Sequence, residues 1–125
     1  VVVAAVGAHG LTDALAGFLP AAPTLVGLLT MAGVAALLAN LLNNLPATLV
    51  LLAALGPAPA PAVVLALLLG VNIGPNLTYV GSLATLLWRR ILPAPPRLAT
   101  FSALGLLTVP ACLAAATTAL WLVSG

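Results

Sequence analysis

The chain has 125 residues, of which 64% are hydrophobic, and only four are charged: Asp13, Arg89, Arg90 and Arg97. A soluble domain of this length carries roughly thirty charged side chains, and a disordered chain is far poorer in apolar residues, so both classes are excluded. The composition is that of an integral membrane protein, with room for three or four crossings at about 20 residues each.

The net charge of +2 comes from three arginines against one aspartate, all three lying between residues 89 and 97. They form no basic stripe interleaved with aromatics, which excludes a nucleic-acid partner. Short arginine-rich loops stay on the cytoplasmic side, so the 89–99 loop is expected inside a multi-pass cytoplasmic (inner) membrane protein. Cys112 is the sole cysteine, so neither a disulfide framework nor a cysteine metal cluster is available.

In chain order, residues 1–8 read as the end of a spanning helix, entered partway, as in the C-terminal piece of a longer protein. Residues 9–23 form a connector: His9 sits at an interface, and a short apolar stretch ends at Pro20 and Pro23. Within it, Thr12 and Asp13 have two readings. Thr12 caps a short helix with Asp13 at its positive end, or Asp13, the only acid, couples transport to protons.

Residues 24–55 are expected as a helix or hairpin. The apolar run from Thr24 reaches Asn40, Asn43 and Asn44, then Pro46 interrupts it and only nine apolar residues remain, 47–55. Nine helical residues cover about 14 Å and cannot cross a core of about 30 Å. A helix would put Asn40, Asn43 and Asn44 on one face, and amides cannot face lipid unpaired. They are therefore either interhelical bonds or the tip of a re-entrant hairpin; whether 24–42 is a full span or one arm stays open. Pro57, Pro59 and Pro61 mark an extended connector.

Residues 62–92 are expected as a broken helix. Apolar halves at 62–71 and 82–92 flank G-V-N-I-G-P-N-L-T-Y-V-G-S-L at 70–83. Gly70, Gly74 and Gly81 permit unusual backbone, Pro75 stops a helix, and Asn72, Asn76, Thr78 and Ser82 supply hydrogen-bonding groups. Ser82 opens the second half-helix. Irregular backbone at membrane depth is tolerated only inside protein or beside a watery cavity, and such breaks mark transporter binding sites. Residues 100–123 suffice for one last span, with Pro110 inside and Trp121 near the end. No nucleophile–base pair or G-x-x-x-x-G-K loop occurs, so an enzyme is not expected, no cofactor is called for, and ATP use requires another protein.

Three stretches, GLTDALAGFL (10–19), NNLPATLV (43–50) and GVNIGPNLTYVGSLATLLW (70–88), resemble in order the C-terminal third of the arsenical pump membrane protein family (ArsB), part of the ion transporter superfamily. The resemblance implies an all-α membrane protein with a re-entrant hairpin and a broken helix, one half of an inverted-repeat transporter whose N-terminal repeat lies upstream. It further implies export of arsenite and antimonite in exchange for protons, giving arsenic resistance, with a soluble ATPase as a partner in some members. Asn43, Asn44, Asn72, Asn76, Thr78 and Ser82 become the substrate-binding candidates, and Pro46, Gly70, Gly74, Pro75 and Gly81 the backbone of the breaks. A sodium-coupled citrate or dicarboxylate carrier of the same superfamily is the alternative in transport, and a small membrane scaffold subunit the alternative of another class.

Overall fold

The computed structural model describes residues 10–20 and 22–125, and there the chain is helical without strands. The end of a helix expected at 1–8, and His9, lie outside the described residues. Helix α1 (Leu11–Ala16) starts at Gly10, whose φ of 73° is left-handed. Thr12, expected to cap this helix, lies inside it instead; Asp13 is in the first turn, where the helix dipole favours a negative charge.

Helix α2 (Leu25–Leu42) is capped by Thr24, whose hydroxyl accepts from the Gly27 amide at 3.1 Å. Its 18 residues are long and apolar enough to cross a membrane. The chain then turns at Asn43, with φ 76° and ψ 159°, and re-enters helix at once as α3 (Asn44–Leu55). The break therefore falls three residues before Pro46. Proline at the third helical position meets no penalty there, because N–H groups of a first turn have no intrahelical acceptor to lose. For the same reason Pro61, expected in the extended connector, is the first residue of α4 (Pro61–Ile73).

The α-helix does end just before Pro75, at Ile73 with Gly74 as its C-cap. The chain tightens into a 3₁₀ turn over Gly74–Leu77, is extended at Thr78, makes a second 3₁₀ turn at Tyr79–Gly81, and is extended again at Ser82. Ser82 caps α5 (Leu83–Ile91), accepting from the Ala84 amide at 3.2 Å. Finally α6 (Leu98–Ser124) runs 27 residues through Pro110 and is the second helix able to span.

Helix α2 is the hub, packed on α3, α4 and α6. Beyond Leu28 and Met31 its buried face is made of small residues: Ala32, Ala35, Ala36 and Ala39 are at most 3% exposed. Gly70 of α4 and Gly74 just after it lie against them, so close that a Cβ on Gly70 falls 2.3 Å from the Ala32 carbonyl oxygen and one on Gly74 falls 2.4 Å from the Ala36 Cα. This is a small-residue crossing of the kind that lets helices associate by close packing in lipid, where burial of apolar surface supplies no driving force. On the outside, Leu41, Leu107 and Val123 are 74–83% exposed, as side chains facing hydrocarbon can be.

Candidate functional site

The centre of the irregular segment is organised by Asn40, near the end of α2. Its amide nitrogen donates to the Ala36 carbonyl at 2.9 Å and across to the Gly74 carbonyl at 2.7 Å. Its oxygen accepts from the Thr78 hydroxyl at 2.9 Å, and that hydroxyl accepts from the Gly81 amide at 3.1 Å. One side chain thus holds both 3₁₀ turns of the break to α2. Interhelical side-chain bonds in membrane proteins contribute about 0.6–1.7 kcal/mol each.

Two glycines make room for the network. A Cβ on Gly81 falls 2.5 Å from the Asn40 oxygen, and one on Gly105 of α6 falls 2.5 Å from the Asn76 carbonyl. None of Gly70, Gly74 and Gly81 has a left-handed backbone; among the described residues only Gly10, Gly56 and Asn43 have positive φ. The three were expected to serve the break through unusual conformations. They serve it through absent side chains.

The six candidate residues fall into distinct environments. Asn43 sits at the α2–α3 turn in a backbone region that is almost closed to residues other than glycine. Its oxygen accepts from the Asn44 amide at 2.8 Å, and the Asn44 oxygen accepts from the Leu45 amide at 2.9 Å. On the other segment, the Asn72 amide nitrogen donates to the Leu68 carbonyl at 2.7 Å, and that of Asn76 to the Ile73 carbonyl at 3.0 Å. Each asparagine spends half of its amide on nearby backbone. Asn43 and Asn44 keep N–H donors in hand, whereas Asn72 and Asn76 keep carbonyl acceptors and Ser82 keeps its hydroxyl proton. Thr78 is already committed through both roles of its hydroxyl, which makes it part of the scaffold.

The expectation that Asn40, Asn43 and Asn44 share one helix face is corrected by the turn at Asn43, which separates Asn40 from the other two. Among the described residues, Asn72 and Asn76 edge different cavities. Asn72 edges a groove of about 450 Å³ between α4 and α6, lined otherwise by apolar side chains such as Leu68, Ala116 and Leu120. Asn76 edges another of about 370 Å³ with Thr85, Trp88 and Phe101. Asp13 is exposed on α1, which packs against α3. Among the described residues, no three His, Cys, Asp or Glu side chains come together as metal ligands would.

Two residues outside the expected set matter here. Asn40 was visible in the sequence as a polar residue in an apolar run, but nothing there showed that its partners lie 34 and 38 residues away. Tyr79 is 2% exposed, donates its hydroxyl to the Pro96 carbonyl at 2.8 Å and stacks on Phe101 with ring centroids 4.2 Å apart. It pins the loop between α5 and α6 to the break.

Against this geometry, the family model described as arsenical pump membrane protein matches residues 1–122. No solved structure matches the chain.

Proposed function

Because the chain belongs to the arsenical pump membrane protein family, and is on that ground a membrane transport protein, we propose that it exports arsenite and antimonite across the cytoplasmic membrane in exchange for protons. The observation that supports this most is the split inventory of neutral groups at its two helix interruptions. Arsenite at neutral pH is largely the uncharged trihydroxide, and each of its hydroxyls both donates and accepts. Asn72 and Asn76 edge separate grooves of this chain, and the spare donors of Asn43 and Asn44, the spare acceptors of Asn72 and Asn76 and the Ser82 hydroxyl are neutral groups that can each pair with such a solute. A citrate or dicarboxylate calls for a cation beside these groups; the arginines belong to the far end of α5 and the segment after it, and Arg89 reaches the break at the Tyr79 ring. Asp13 is the proposed proton-coupling residue, being the single acid of the sequence. With the arginine loop inside, α6 carries the C-terminus to the opposite face.

Intracellular arsenic in an arsenite-sensitive host tests the site. Cells producing the protein are expected to hold less arsenic than cells without it. Asn72→Ala, and Asn43→Gly, which suits the backbone but removes the amide, should each slow export about tenfold, the loss of one hydrogen bond of about 1.4 kcal/mol. Unchanged export by both variants contradicts the assignment.

A further inference from the structure

We infer that the end of α5 and the loop after it form a binding site for the phosphate of an anionic phospholipid. Arg89 and Arg90 line a depression of about 300 Å³ together with Leu86 and Pro95. The Arg89 guanidinium lies over the Tyr79 ring, its central carbon 4.8 Å from the centroid, and its Nε is buried with no hydrogen-bond partner. Tyr79 is itself fixed by Pro96 and Phe101, so the guanidinium rests on a rigid support. A planar cation supported in this way suits a phosphate, which guanidinium binds through paired hydrogen bonds. Within these 125 residues the three arginines stand against one acid, Asp13.

The neighbours say which kind of phosphate. On the same nine-residue helix Leu87, Trp88 and Ile91 are 63%, 43% and 81% exposed. Large apolar side chains and a tryptophan beside arginines fit the boundary between acyl chains and headgroups, where a lipid presents phosphate and hydrocarbon together. A free phosphate in water offers nothing to those side chains. A bound lipid would brace Arg89, and through Tyr79 the second 3₁₀ turn of the break, which makes the lipid a regulator of the transport segment.

The test uses the detergent-solubilised protein with phosphatidylglycerol, phosphatidylcholine or inorganic phosphate added, and a variant carrying Arg89→Lys and Arg90→Lys. The lysines keep the charge, and with it the topology, but lose the guanidinium fork. Phosphatidylglycerol is expected to raise the unfolding temperature of the wild type more than phosphatidylcholine does, with inorganic phosphate ineffective. The lysine pair should weaken the phosphatidylglycerol response about fivefold. Native mass spectrometry counts lipid bound to the folded fraction, which keeps the result readable if the variant is less stable. An undiminished response in the variant overturns the site, as does equal stabilisation of the wild type by phosphatidylcholine. Equal stabilisation by inorganic phosphate overturns the lipid as its occupant.

Discussion

Replacing Gly74 by alanine is expected to remove most of the folded protein from the membrane. A Cβ at that position meets the Ala36 Cα at 2.4 Å and its Cβ at 2.5 Å. Ordinary carbon contacts lie about 1 Å farther out, and a helix backbone cannot move a single atom by that much without moving the whole helix. Helices α2 and α4 must then separate along their crossing, which also pulls the Gly74 carbonyl from the Asn40 amide. Overpacking alone costs about 1–3 kcal/mol, and the lost bond adds to it. Shrinking the partner with Ala36→Gly should rescue little, since the Cα is the nearer obstacle. Gly33→Ala is the matched control: a Cβ there meets nothing within 4 Å, and alanine favours helix over glycine by about 1 kcal/mol. Unfolding temperature in detergent and the amount of monodisperse protein read all three. Wild-type behaviour of Gly74→Ala contradicts the close crossing.

Asn40→Leu carries the second largest expected effect. It fills a similar volume but leaves the Gly74 carbonyl and the Thr78 hydroxyl without their Asn40 partner at a part-buried site. An unsatisfied polar group in such a place costs about 1–3 kcal/mol. Thr78→Val removes a single member of the same network and should cost less. The double variant should cost less than the sum of the two, because either substitution already breaks the Asn40–Thr78 bond. Transport should fall with stability in each, since the network holds both 3₁₀ turns in place. Additive losses mean that the two side chains act independently, against the geometry described.

The all-helical, apolar character of the chain was legible in the sequence because it depends on local chemistry. Ser82 caps α5, the half-helix it was expected to open, and the two candidate spans follow from apolar length. What depends on distant partners was not legible. Gly70 and Gly74 look the same whether glycine serves a turn or a helix crossing; only the alanines of α2 on the other side decide. Prolines were overweighted for a related reason. Pro46 and Pro61 sit in first turns, where a missing N–H is harmless, whereas Pro75 does follow the end of an α-helix and lies in the 3₁₀ turn after it. The asparagines stood out as polar, but which half of each amide is left for a solute appears only once the backbone around it is placed.

Arsenite movement into everted membrane vesicles reads the central proposal most directly. With the interior made acidic and no ATP present, vesicles bearing the protein should accumulate arsenite, and a protonophore should abolish the uptake while sodium has no effect. Absence of arsenite uptake, together with sodium-dependent movement of citrate or a dicarboxylate by the same vesicles, contradicts arsenite export and establishes the organic-anion carrier in its place.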